Sequence, residues 1–468
     1  MKKLALIASC AMLATSVCLA QAAGTAKVDD SAAKTDKQEK RVRHTKRAMK
    51  KRSPEEMAQM RKRFLEERKT RGVPGVVVSS FGKTVDGKPA KLYRVMGNGG
   101  MIIDFTDCGA RQVRIYAPDR NGNLADITAG FSEASQYQTV ERSFGATIGR
   151  YANRIGGGKF KIDGVEYNLP LNNGPEGMRC SLHGGTNSLS EAVWEGMPVR
   201  RGRWIGVRFT HVDKDGAQGY PGKLTVNVTH WLTEKNVWRI EYSATVEGKA
   251  TPINLTNHAY FNLKGICNGT IEDHVLQIFA SATTPTDKAQ IPTGEIKSVE
   301  GTPFDFRKPR TIADGINADD EQIKICKGYD HNWVLDDKSG KLAKAAILSE
   351  KTTGRTLEVW TTEPAIQIYC GNMIGGGKDQ PTPITEKCGK VVPYRGAICL
   401  ETQHYPDSPN KPEFPNTILK PGDVYSSVTE YRFGVTKSEK RYAHHSLYKT
   451  SSGHDKRPDQ SEDQHAYA

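Results

Sequence analysis

Residues 224–246, LTVNVTHWLTEKNVWRIEYSATV, decide how this chain is read. Leu224, Val226 and Val228 alternate with Thr225, Asn227 and Thr229, and after a polar break Trp238, Ile240, Tyr242, Ala244 and Val246 alternate with Arg239, Glu241, Ser243 and Thr245. Successive side chains leave a pleated backbone on opposite sides, so period two marks strands with one buried face. Working outward, 76–78, 91–95, 101–105, 112–116, 159–162 and 204–210 read as strands before this stretch, and 347–352, 356–361 and 365–370 after it. Asp86-Gly87, Asp163-Gly164 and Asp215-Gly216 supply turns between them. No long helical repeat or internal repeat interrupts the region. The glycine runs 156–158 and 375–377 lack the strand–helix setting of a phosphate loop and read as loops. An all-β domain, a large antiparallel β-sandwich, is expected over 73–436.

The ends differ from this body. Met1-Lys2-Lys3, an apolar run to about Leu19 and Ala20-Gln21-Ala22 read as a signal peptide over 1–22, cleaved after Ala22 or Ala20. Cys10 lies too early in that run for a lipoprotein box. Export to a periplasm or to the medium is expected. Residues 27–71 hold 17 Lys/Arg against 8 Asp/Glu, so most of the formal charge of +14 sits in a basic leader (23–72), and the large body is close to neutral. Most of that leader reads as disordered, but Ser53-Pro54-Glu55-Glu56 is a helix start, and a helix is expected over 54–71. A polar disordered tail is expected over 437–468.

The 468 residues include six Trp, 17 Tyr, 13 Phe and 45 Gly, which excludes collagen, coiled-coil and wholly disordered chains. No apolar run beyond the leader approaches the roughly 20 residues of a membrane span. Seven cysteines remain after the signal, an odd number without CxxC spacing, so neither a zinc site nor a complete disulfide framework is indicated. One or two disulfides are compatible with export, and the sequence does not pair them. The basic leader suits an anionic envelope surface or nucleic acid, but an exported protein meets little nucleic acid, so a solvated spacer is expected and no nucleic-acid partner. A monomer is expected, because no apolar stripe is left over.

The chemistry sits in six strings: 149–155 (GRYANRI), 182–185 (LHGG), 254–263 (NLTNHAYFNL), 328–331 (GYDH), 367–369 (QIY) and 400–410 (LETQHYPDSPN). Taken singly, His183 reads as a turn cap, His258 as a hydrogen-bonded core histidine and Arg154 as half of an ion pair. Glu401 follows the apolar run 397–400, where an unpaired carboxylate is expensive. A carboxylate retained there is paired or acts as a base. Together Asn, Arg, two His, Asp, Gln and Glu suit gripping sugar hydroxyls and moving protons.

In this order the strings resemble those of the aldose 1-epimerase (galactose mutarotase) family. The resemblance begins at Phe144-Gly145-Ala146 ahead of the first string, includes Asn172-Asn173-Gly174, and spans about 75–435. It implies the galactose-mutarotase type of β-sandwich with an open sugar cleft. It implies Glu401 as general base and His258 as general acid, with Asn153, Arg154, His183, Tyr260, Asp330 and Gln367 on the sugar hydroxyls. The expected substrates are hexoses such as D-glucose and D-galactose, with no cofactor and no metal. A hexose-phosphate epimerase and a sugar-binding module without catalysis are the alternatives. The first would want a basic cluster at the far end of the sugar. His258 is expected to be partly protonated near neutral pH, helped by a neighbouring carboxylate. The reworded approach at 176–181 puts the loop before His183 in doubt.

Overall fold

The stretch 224–246 forms two long antiparallel strands, Lys223–Leu232 and Val237–Glu247, paired from Lys223 opposite Glu247 to Leu232 opposite Trp238. The alternation read from the sequence is the one that packs: Leu224, Val226, Val228, Trp238, Ile240, Tyr242, Ala244 and Val246 are all buried in the main core. A computed structural model describes residues 75–436, apart from 375–376 and 378–382. The expected signal peptide, basic leader with its helix at 54–71, and polar tail lie outside the described residues.

These two strands belong to a nine-stranded antiparallel sheet. On one side of them lie Glu195–Arg201 and Trp204–Asp213, and on the other Tyr425–Val435, Arg355–Thr361 and Ala343–Ser349. A six-stranded antiparallel sheet faces it. From the edge strand Tyr260–Phe261 it runs through Ile398–Gln403, Ala365–Tyr369, Asp330–Leu335 and Ala280–Thr283. Ile366, Ile368, Ile398, Leu400 and Trp333 of this sheet share one core with Trp238, Ile240, Leu357, Val359 and Tyr431 of the other. The Tyr431 hydroxyl crosses the gap to donate to the Leu400 carbonyl at 2.8 Å. A further five-stranded sheet, Val76 to Asp126, covers part of the nine-stranded one: Tyr93, Val95, Ile103, Phe105 and Ile115 enter the same core. The β-sandwich read from the sequence is the observed fold.

Two local readings change. The strand expected at 347–352 ends at Ser349, because the Glu350 carboxylate collects the backbone N–H groups of Thr352 and Thr353 and the Thr353 hydroxyl, bending the chain toward Gly354. Short helices occur at Ala134–Thr139, Ala313–Ile316 and Glu321–Cys326, too brief to show a helical period in sequence. Cys267 and Cys388 form a disulfide across 121 residues, and Cys108, Cys180, Cys326, Cys370 and Cys399 are free and buried.

Candidate active site

Strand register assembles the floor of the site. Gln367 lies opposite Glu401, Tyr369 opposite Cys399, Asp330 opposite Tyr369, and Tyr260 opposite Cys399. Residues opposite each other on paired strands share a face. Period two therefore puts Glu401, Gln367, Asp330, Tyr260 and Tyr369 on one face of the six-stranded sheet. Leu400, Ile366, Ile368 and Phe261 are left for the core on the other. The alternation that builds the sandwich thus also aims the polar groups away from it.

His258 is brought onto this face by backbone bonds. Its N–H donates to the Ala146 carbonyl and its carbonyl accepts from the Gly145 N–H, each at 2.9 Å. The ring stacks on Tyr260 at 4.9 Å between centroids and 12° between planes. Its Nε2 lies 3.5 Å from Glu401 Oε1.

His183 is set by a reciprocal pair. Its N–H donates to the Asn153 carbonyl at 3.0 Å, and the Asn153 N–H donates to His183 Nδ1 at 3.2 Å. Nδ1 is thus an acceptor and Nε2 carries the ring proton. Both residues have left-handed backbone, Asn153 at φ 63° and His183 at φ 54°. Gly184 then turns at φ +83°, where a Cβ would sit 2.1 Å from the Gly149 carbonyl oxygen.

Arg154 donates through Nε to Asn173 Oδ1 at 3.3 Å and through Nη2 to the Gln290 side-chain oxygen, and Nη2 lies 3.8 Å from Asp330 Oδ2. Gln367 Nε2 donates to Asp330 Oδ1 at 2.7 Å. Glu401, His258, Asn153, Arg154, His183, Tyr260 and Asp330 all line one cavity of about 670 Å³. Gln367 sits beneath it, bonded to Asp330. The structure therefore brings together all eight residues singled out in the sequence. Glu401 Oε2, His258 Nδ1 and Gln367 Oε1 are buried and have no protein partner among the described residues. Buried polar groups ordinarily have one, and such exceptions concentrate where a ligand binds or chemistry occurs.

The electrostatics correct one expectation. Burial drives the Glu401 carboxyl well above its usual value, with Asp330 adding to the rise and Arg154 opposing it. Burial also pulls His258 down to about 4, and the Asp330 charge recovers only part of that fall. His183 is held well below 6.5 by burial and by the positive charge of its neighbours. Desolvation outweighs the neighbouring carboxylates, so burial favours the neutral imidazoles and the protonated form of Glu401 in the free site. His258, Cys399 and Glu401 bring three ligand-type atoms within 4.8 Å of one another. The Cys399 thiol is fully buried and pushed well above its usual value, however, and metals take the thiolate.

A family model described as aldose 1-epimerase matches residues 91–432. The chain belongs to the aldose 1-epimerase family. Galactose mutarotase of Rattus norvegicus is 38% identical over 355 residues, 76% of this chain and 97% of that protein. Aldose 1-epimerase of Escherichia coli K12 is 38% identical over 350 residues, 74% and 96%. Among solved structures, galactose 1-epimerase of Lactobacillus acidophilus NCFM superposes with a TM-score of 0.65 at 28% identity, covering 77% of this chain and 98% of that one. An aldose epimerase homologue of C. elegans gives 0.65 at 29% identity, covering 74% and 99%. The chain is an isomerase of this family, with mutarotase activity.

Sequence reading did not single out every residue of this epimerase site. Asn173 and Gln290 hold Arg154, Tyr369 forms part of the floor, and Glu141 and Ser143 form a wall. Tyr369 was within reach, two residues from Gln367 on the same strand face. Gln290 lies in irregular chain after Thr283 and carries no local signal. Conversely, Arg150 and Asp407, within the same strings, are structural. Arg150 is buried in an ion pair with Asp213 at 2.9 Å, and Asp407 accepts from the Gly156 N–H at 2.9 Å.

Proposed function

We propose that the protein interconverts the α and β anomers of hexoses such as D-glucose and D-galactose, with Glu401 and His258 exchanging protons with the hemiacetal. The observation that carries this is the buried pair itself, Glu401 Oε1 3.5 Å from His258 Nε2, at the floor of the cavity. Opening the ring needs one proton removed from the C1 hydroxyl and one delivered to the ring oxygen. The pair does both only if it carries one proton, on either partner. A protonated Glu401 beside a neutral His258 has the same proton count as a carboxylate beside an imidazolium. Substrate hydroxyls that hydrogen-bond the carboxylate favour the second form. Glu401 then takes the C1 proton, His258 donates to the ring oxygen, and the C1–O5 bond breaks. The aldehyde turns about C1–C2 and closes again with both transfers reversed, and the pair ends in its starting state. Positioned acid–base groups of this kind contribute about 10²–10⁴-fold.

Asp330, Arg154, Gln367, Asn153 and the Nε2–H of His183 hold hydroxyls away from C1, so that the open aldehyde stays in register. A hexose-phosphate epimerase is disfavoured because the relatives that match most of the chain are galactose mutarotases and aldose 1-epimerases. A role limited to sugar binding is disfavoured because acid and base are both in place. No cofactor is required by this proton chemistry. Export is proposed from the signal peptide read over 1–22, and the Cys267–Cys388 bond suits an oxidising compartment. A monomer is proposed, the exposed large apolar side chains being scattered along the chain.

Polarimetry on freshly dissolved α-D-glucose and α-D-galactose tests the reading. Rotation should relax faster to the same end point, and Glu401→Gln and His258→Asn should each lower that acceleration by about 10²-fold or more. Full rate in Glu401→Gln would remove it as the base, and full rate in His258→Asn would move the acid elsewhere.

A further inference from the structure

Glu141 is a carboxylate on the cleft wall that the proton chemistry does not use. It lines the sugar cavity together with Ser143, His183, His258 and Tyr260. It also lines a second cavity of about 520 Å³ that continues past His183. One carboxylate oxygen accepts from the Ser143 N–H at 3.0 Å. No ion pair forms on it among the described residues: the adjacent Arg142 turns away to Glu191 at 2.8 Å. Burial raises the Glu141 carboxyl above the usual value, with the Ser143 hydrogen bond and Arg111 opposing that rise.

The segment bearing Glu141 is held still. Arg111, fully buried, donates to the carbonyls of Arg142 at 3.2 Å, Phe144 at 3.0 Å and Cys108 at 2.8 Å, and also to that of Ser190. Its guanidinium lies 4.2 Å from the ring of Tyr137. A charge committed to four carbonyls is a costly way to fix a surface loop, and it presents Glu141 in one place.

The connectivity of a pyranose says which edge of the sugar meets it. C1 has two ring neighbours: the ring oxygen, which leads to C5 and C6, and C2, which leads to C3. With the C1 hydroxyl on Glu401 and the ring oxygen on His258, C2 and C3 lie toward Gln367, Asp330 and Arg154. C5 and C6 then fall on the side of His258 away from Glu401; His183, 5.2 Å from His258 between ring centroids, and Glu141 both line the cavity with it. Resting on the proposed roles of Glu401 and His258, we infer that Glu141 is a specificity-determining residue that binds the C6 hydroxyl of aldohexoses. A charged carboxylate accepts from that hydroxyl and a protonated one donates to it, so the contact survives either state.

The test uses three sugars sharing the galactose configuration at their ring carbons: D-galactose, its 6-deoxy form D-fucose, and L-arabinose, which lacks C6. Steady-state mutarotation of each is measured with the wild-type full chain, Glu141→Gln and Glu141→Ala. A hydrogen bond to a charged group predicts a rise in KM for D-galactose of roughly tenfold or more in Glu141→Ala, and less in Glu141→Gln, with kcat little changed. The ratio of galactose to fucose efficiency should collapse toward one. Equal losses on all three sugars would make Glu141 an architectural residue and overturn the inference, as would an unchanged KM for D-galactose. If the wild-type chain accelerates none of the three, the mutarotase reading fails instead.

Discussion

The proton on the Glu401–His258 pair has an unusual resting place. An exposed carboxylate and imidazole at pH 7 would leave the carboxylate charged, but here burial favours both neutral forms. The pair should take up a second proton only near pH 4, and the acid limb of kcat/KM belongs there. NMR of the His258 ring should show no titration at 6.5, and infrared difference spectra against Glu401→Gln should show the carboxyl losing its proton well above the usual carboxylate range. A carboxyl losing its proton within the usual range, with His258 titrating at 6.5, would refute this. Stability follows with a definite sign. A carboxyl whose folded pKa is raised contributes fully at low pH and loses that contribution as pH rises from its unfolded to its folded value. Relative to wild type, Glu401→Gln should therefore gain melting temperature as pH rises above the ordinary carboxyl pKa of about 4.3. A constant difference above that pH would mean that Glu401 is not strained by burial.

At the scale of elements, the polar groups of the cleft come from two sources. Glu401, Gln367 and Asp330 are fixed by antiparallel ladders, while His183 and Asn153 are fixed by tight left-handed turns. Gly184 is the weak point of the second set. Gly184→Ala places a Cβ 2.1 Å from the Gly149 carbonyl oxygen at a positive φ, so the turn must move. It should lose at least about 1–3 kcal/mol of stability and lower mutarotase activity through displacement of His183. An unchanged melt and rate would show that the turn is plastic. The sequence made the ladder residues legible because alternation marks both the core and its opposite face, so Glu401 after an apolar run stood out. The strings around His183 and His258 were legible through family resemblance. Gln290, Ser143 and Glu141 were not, since they reach the cleft from irregular chain whose course depends on tertiary contacts such as those of Arg111. The protonation of His258 was also misjudged, because neighbouring charges can be guessed from sequence and the depth of burial cannot.

For the molecule as a whole, the Cys267–Cys388 bond joins parts of the chain 121 residues apart. Cys267 follows the strand Tyr260–Phe261, and Cys388 adjoins Glu386 and Lys387, which lock onto the body. The Lys387 ammonium ion-pairs with Asp126 at 3.0 Å and donates to the Thr128 carbonyl at 2.8 Å, and the Glu386 carboxyl accepts from the Gly130 N–H at 2.6 Å. Closing a loop of 121 residues predicts about 2–5 kcal/mol of stabilisation. Reductant or Cys388→Ser should therefore lower the melting temperature by several degrees, and reductant should add nothing to the variant. Identical melts with and without reductant would show that the bond contributes nothing.

Glu401 sits on a ladder-locked position of the six-stranded sheet and His258 is tied to the Gly145–Ala146 backbone, whereas most of the rim comes from separate loops. Descendants of such a gene can therefore redraw the list of accepted sugars one loop at a time, while the reaction is inherited intact. The same separation makes the rim the place to begin when breeding a catalyst for an unfamiliar aldose.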